Sequence, residues 1–183
     1  MGKRYDALQD DQIGFIAEQM LFFLATVPPT GGHVNLSPKG MDSLRVLTPQ
    51  RILWANVTGS GNETAAHLAA DPRITLMWCG FGKRPLILRA YGTAAAHHHN
   101  SPHWADLAAQ LPDLPGLRQI VDVQIDLVQS SCGFAVPFME LAGERPVLRD
   151  WAIAKGPDGL AAYWADRNAR TIDGVATGIE ANL

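Results

Sequence analysis

Cysteine is scarce in this chain. Cys79 and Cys132 are the only two in 183 residues, too few for a disulfide-stapled scaffold and in keeping with a reducing compartment. Long apolar runs are missing as well: the stretch Met20 to Val27 is far shorter than the roughly 20 residues that cross a bilayer. No apolar leader opens the chain, and Asp6 stands where N-myristoylation needs Ser or Thr. The expectation is a cytoplasmic protein with no membrane partner. Positive charge is not in excess, since 15 Lys and Arg face 18 Asp and Glu for a formal net charge of −3. The basic residues are scattered rather than striped, which argues against nucleic acid as a partner. Repeats and low-complexity tracts are absent, and so is the strand–helix–strand rhythm of a parallel α/β sheet.

What is present is enough apolar material for one core. Hydrophobic residues make up 47% and charged residues 18%, so the whole chain, 1–183, is expected to form a single folded domain. Asp10 is placed to cap a short helix over 11–19, with Ile13, Ile16, Ala17 and Met20 at helical spacing. Met20 to Val27 reads as a buried strand ended by Pro28-Pro29, and 33–37 as a half-buried strand that stops at Pro38. Residues 43–47 and 51–56 form a predicted hairpin around Thr48-Pro49-Gln50. A helix over 63–70 ends at Asp71-Pro72, and strands follow at 73–79, 86–95 and 119–128. Ser101-Pro102 opens another helix, 159–169 carries apolar residues at helical offsets, and Asp173-Gly174 marks a turn. Six or seven short strands with few helices between them predict a mainly β protein, a small closed β-barrel with peripheral helices.

The stretch "NVTGSGNETAAHL" (56–68) combines two turn glycines, Gly59 and Gly61, with the hydroxyls of Ser60 and Thr64 and a capping residue, Asn62. Backbone amides at such a turn, backed by the dipole of the helix that follows, form an anion site. No Walker lysine follows the last glycine, and there is no third glycine at Rossmann spacing. Glu63 in the first helical turn would itself be favoured by the dipole and would repel a phosphate.

Other clusters carry less chemistry. His97-His98-His99 with His103 is the most metal-like group, but neighbouring residues of an extended segment face opposite sides, so only His97 and His99 share one. No metal is expected. Cys132 has no histidine in its motif to activate it as a nucleophile. His67 falls in the predicted short helix, within reach of the turn or of the packing behind it. Five tryptophans suit core or interface positions, with Trp78 and Trp151 candidates for stacking on an aromatic ligand.

Four motifs, "VNLSPKG" (34–40), "GSGNETAAHL" (59–68), "RITLMWCGF" (73–81) and "LRAYGTA" (88–94), in that order, resemble the flavin-binding split-barrel family that contains pyridoxamine 5′-phosphate oxidase. "SSCGFAVP" (130–137) and "IDG" (172–174) bring the chain nearer to an uncharacterised, oxidase-like branch of it. The resemblance implies a six-stranded, Greek-key-like FMN-binding split barrel with its core over about residues 12–128. It implies an extension, 129–183, that packs on the barrel and on a dimer partner, and a homodimer with FMN at the interface. The implied activity is a flavin-dependent oxidoreductase acting on a small-molecule substrate; a non-catalytic flavin, deazaflavin or haem binder is the alternative. It implies no catalytic residue by position. Carried onto this sequence, the cofactor-binding residues are Ser37, Lys39, Arg45, Val46, Leu47, Ser60, Asn62 and Thr64, with Pro137 and Phe138 as apolar walls of the flavin pocket. Lys39, after a strand that would lie along the flavin, would stabilise the reduced anionic ring. The family's Ser-Arg-Lys triplet is Asn62-Glu63-Thr64 here, so the charge opposite the phosphate must come from Lys39, Arg45 or a partner's arginine, with Arg84 and Arg89 as local alternatives.

Overall fold

Alternating burial along Phe22–Thr26 makes strand β2, the first interior strand in a computed structural model that describes residues 2–28 and 30–183. Pro29, read with Pro28 as the stop to this strand, lies outside the described residues, as does Met1. Ahead of β2 come β1 (Lys3–Tyr5) and helix α1 (Asp10–Ala17). The residue that caps α1 is Gln9, which exchanges side-chain and backbone bonds with Gln12, rather than Asp10. Then follow β3 (Asn35–Lys39), β4 (Leu44–Thr48), β5 (Arg51–Val57), α2 (Glu63–Ala70), β6 (Arg73–Cys79), β7 (Leu86–His97), α3 (Trp104–Ala108), β8 (Leu117–Cys132) and α4 (Val147–Tyr163).

All the strands pair antiparallel, in the order β3-β2-β6-β7-β8-β5-β4, with β1 beside the far end of β8. The sequence pattern predicts six or seven strands, the one over 33–37 that forms β3 among them; the described sheet has eight, because β1, which the pattern does not predict, also joins it. Nor does the sheet close as the sequence suggested, since β3 and β4 end the hydrogen-bonded path without pairing to each other. β3 also runs through Pro38 instead of stopping there. As an edge strand bonded to β2 alone, it leaves one side of its backbone free of ladder partners, and proline is tolerated on such an edge.

β7 and β8 are longer than their predicted spans and pair over most of their length. A bulge between Tyr91 and Gly92 bends the pair. Only glycine fits at 92, where a side chain would run into the Gln124 carbonyl. The main core, with Leu24, Ile52, Leu76, Leu88, Val121 and Val128 almost wholly buried, fills the sheet's interior along with Trp54 and Trp78. Beyond Tyr163 the chain continues helically through a wide turn, Trp164–Asn168, and ends in a short 3-10 helix, Ile179–Asn182. The predicted helix over 159–169 is thus the second half of a longer one, bent where Gly156 takes a positive φ of 63° ahead of Pro157. Among the described residues no helix is long and apolar enough to cross a membrane.

Candidate functional site

The opening of the sheet leaves a cleft of about 1000 Å³ between β3, the end of β5, the glycine turn with the start of α2, and the C-terminal segment around Arg167–Ile172. Ser37, Lys39, Ser60, Asn62 and Thr64, which the sequence singled out, all line it. Arg45, Val46 and Leu47 do not line it within one chain. Arg45 forks onto the Asp42 carboxylate at 2.7 and 2.8 Å. With Val46 it lines an adjoining cavity of about 290 Å³, and Leu47 packs against the Leu53, Leu107 and Ile120 cluster. β4 is the terminal strand on that side, so its side chains meet the neighbouring cavity and the surface instead. Arg84 is paired with Asp11 at 2.8 Å, and Arg89 donates to Ser131; neither reaches the cleft.

The turn is held from behind by residues that sequence reasoning missed. Arg118, buried on β8, donates from one guanidinium nitrogen to the Gly61 carbonyl at 2.7 Å and from another to Asn168 Oδ1 at 2.7 Å. Asn168, fully buried, donates in turn to the Gly59 carbonyl at 3.0 Å. Its own carbonyl accepts from Asn62 at 3.3 Å and from Thr177 at 2.5 Å. Trp164 donates to Thr58 at 2.8 Å, and Thr58 to the Gly116 carbonyl at 2.7 Å. The C-terminal segment thereby locks the glycine turn onto β8. A side chain at Gly61 would displace the Glu63 carboxylate.

Asn62 stands at the N-cap of α2, as its position in the sequence suggested, but its side chain makes no capping bond. Its amide nitrogen is committed to Asn168, and its Oδ1 is buried without a partner. Arg118 Nε is likewise buried and unpartnered. Burial of this kind without a partner is costly, and both residues line the cleft. A second set of bonds supports the β3 wall. Ser37 donates to Asn35 Oδ1 at 2.9 Å, Asn35 donates to Thr64 at 3.1 Å, and Thr26 shares a 3.0 Å bond with His67 Nδ1. His67 is therefore a buried packing and hydrogen-bonding residue behind the cleft wall.

Lys39 Nζ sits 5.1 Å from the centroid of the Trp54 ring. Burial, reinforced by the Arg118 guanidinium and opposed by the Glu63 carboxylate, pulls the Lys39 amine down to about 8. Burial also lowers Arg118 to about 10, against the pull of Glu63 and Tyr163. Two desolvated cations therefore share one carboxylate at the floor of the cleft, and that charge balance suits an anion. Trp54 is the tryptophan at this cleft. Trp78 lies in the core beside Phe22, and Trp151 packs on Tyr163.

In the histidine cluster His98 Nδ1 is buried without a partner, and its neighbours bond away from the cleft. His97 meets Ser101 at 3.2 Å, and His99 meets the Leu117 carbonyl at 3.0 Å and stacks edgewise on Trp104. Among the described residues no three His, Cys, Asp or Glu side chains are grouped to hold a metal. Cys132 is exposed, at the end of β8. Residues 118–121 are buried in succession in the fold, so the charge of Arg118 and the amide of Gln119 sit in a strand stretch covered on both faces.

A family model described as pyridoxamine 5′-phosphate oxidase matches residues 8–132. A pyridoxamine 5′-phosphate oxidase family protein of Aspergillus flavus, ustO, is 33% identical over 190 residues, covering 93% of this chain and 76% of that protein. Among solved structures, a candidate pyridoxamine 5′-phosphate oxidase of Lactobacillus delbrueckii matches with a TM-score of 0.55 at 22% identity, covering 68% of this chain and 94% of the other. HupZ of Group A Streptococcus, in a variant form, matches with a TM-score of 0.53 at 17% identity over 68% of this chain and 99% of the other. At these identities the structures speak for the fold, a mainly antiparallel split barrel.

Proposed function

The chain belongs to the pyridoxamine 5′-phosphate oxidase family, and from that premise we propose that its cleft binds FMN and that the protein is a flavin-dependent oxidoreductase acting on a small molecule. The observation that carries this reading is the convergence of two desolvated cations, Lys39 and Arg118, with the unpartnered Arg118 Nε and Asn62 Oδ1 on the glycine turn. Those groups fit a ligand with both an anionic end and hydrogen-bonding donors. Arg118, Lys39 and the hydroxyls of Ser60 and Thr64 would bind the phosphate end, and Ser37 and Trp54 would border the rest. Arg118 and Lys39 answer the loss of the basic pair at 63–64: the charge arrives from β8 and β3. Glu63 tempers it, and with Asp166, Arg167 and Arg170 also lining the cleft the balance facing the anion stays positive.

When bound, FMN supplies reversible two-electron exchange with the substrate. The chain's part is to hold the cofactor's charge, to exclude water with the C-terminal segment and to leave one face open to substrate. A homodimer is part of the proposal. It is supported by large apolar side chains in solvent on and just before the edge strand and after β8, including Val34, Leu36, Phe134 and Phe138. Titrating FMN into the purified protein while following flavin and tryptophan fluorescence tests the reading. Saturable binding at one FMN per chain is expected, with quenching of Trp54. Absence of binding would overturn it, and bound flavin that no electron donor and substrate turn over would make the protein a flavin carrier instead.

A further inference from the structure

Lys39 is the one lysine of the four that lies in the cleft; Lys3, Lys83 and Lys155 are exposed. Its Nζ rests on the face of Trp54, and among the described residues no carboxylate forms an ion pair with it. The charges that act on it are the Arg118 guanidinium on β8 and the Glu63 carboxylate at the start of α2, with Asp166, Arg167 and Arg170 on the opposite lip. A lysine desolvated beside an aromatic face and next to a second cation is the arrangement in which amines act as nucleophiles toward carbonyls. Arg118 adds what such a site needs to choose its ligand. Its Nε–H is buried and unpartnered on a residue that lines the same cleft, so it is the donor left over for an anionic group while a carbonyl carbon reaches the amine.

We infer that Lys39 is a carbonyl-reactive amine that forms a Schiff base with small aldehydes bearing a phosphate or carboxylate. The free amine adds its lone pair to the aldehyde carbon, and the carbonyl oxygen takes a proton. Loss of that oxygen as water then leaves a C=N bond. No oxidant or reductant is consumed. With the amine near 8 rather than 10.5, the reactive free base at pH 7 is roughly 300-fold more abundant than for an ordinary lysine. The inference goes beyond the flavin reading, and because FMN and the aldehyde would compete for Lys39 and Arg118 in one cleft, it is tested on flavin-free protein.

The probe is pyridoxal 5′-phosphate, with phosphate-free pyridoxal beside it. The full-length protein is incubated with each at pH 7, the imine absorbance near 420 nm is followed, and adducts are reduced with borohydride and mapped by peptide mass. One adduct per chain at Lys39 is expected, forming at least about tenfold faster than at any other lysine. Its pH midpoint should lie near 8, and pyridoxal 5′-phosphate should outpace pyridoxal roughly tenfold. Lys39→Arg keeps the charge and removes the nucleophile, so it should abolish the saturable phase; mapping of the unaltered protein decides the matter even if that variant misfolds. Labelling spread evenly over Lys3, Lys83 and Lys155, or none at Lys39, would overturn the inference. FMN titrated separately into the same preparation tells the two failures apart: loss of the flavin reading shows as absent quenching, loss of this one as an absent Lys39 adduct.

Discussion

Strand β5 divides into two halves with opposite habits. Ile52, Leu53 and Trp54 are buried among apolar neighbours, where dispersion and the removal of apolar surface from water suffice and one hydrophobe can stand in for another of similar volume. A few residues on, Asn56 donates to Gln119 at 2.8 Å, and Thr58 links Gly116 to Trp164. Here every group needs a partner of the right kind in the right place, and a mistake costs the whole desolvation penalty. The apolar half is tolerant and stable, and the polar half is exacting. The cleft is built on the exacting half, and its unmatched atoms are what give it a ligand to seek.

The largest expected effect lies on the tolerant side. Leu76→Ala, in the centre of the sheet with no exposure, should cost about 2–5 kcal/mol of stability through the cavity it leaves, measured by urea unfolding. Asn168→Ala tests the exacting side. It strips side-chain partners from Arg118 and the Gly59 carbonyl, while the backbone carbonyl at 168 still accepts from Asn62 and Thr177, and a loss of about 1–3 kcal/mol in the same assay is expected. If it proved neutral, the lock between the C-terminal segment and the turn would be no more than surface packing. Arg118→Met should weaken FMN binding by roughly 10-fold to 100-fold, the worth of a charged hydrogen bond. Unchanged affinity in a fluorescence titration would take Arg118 out of the site.

Smaller and pH-dependent is the effect of Lys39. Its folded value, about 8, lies below the unfolded 10.5, so between those limits the unfolded chain holds more protons. Its contribution to stability is therefore flat below pH 8 and rises from about pH 8 to 10.5. Affinity for FMN should move the other way, falling as Lys39 loses its charge above pH 8, and Lys39→Met should flatten both trends in unfolding and titration curves. The smallest effect is expected at the mouth of the cleft. Asp173 accepts from the His33 backbone at 2.8 Å and meets its ring at 2.6 Å, and these bonds hold its carboxyl below the usual range. The pair is open to solvent, where such contacts contribute little. Asp173→Asn should leave the melting temperature unchanged within error, and a clear drop would show that the pair ties the C-terminal segment down.

The amino-acid order alone located most strands, the two-glycine turn and the helix after it, because apolar periodicity, prolines and glycines act within a few residues of where they stand. It also carried the family, through motifs whose spacing survives in the text of the chain. Lys39 and the hydroxyls of the turn were legible for the same reason. Arg118 and Asn168 were not, since they lie 50 residues apart and matter only because the fold brings both to the back of Gly59 and Gly61. Where Arg45 would lie depended on the place of β4: it is the last strand, and within one chain Arg45 forks onto Asp42 outside the cleft. The closure of the barrel likewise depended on whether β3 and β4 meet, and they do not. Burial of apolar groups is decided locally by pattern; satisfaction of buried charge is a pairing problem across the whole chain, and only the tertiary structure solves it.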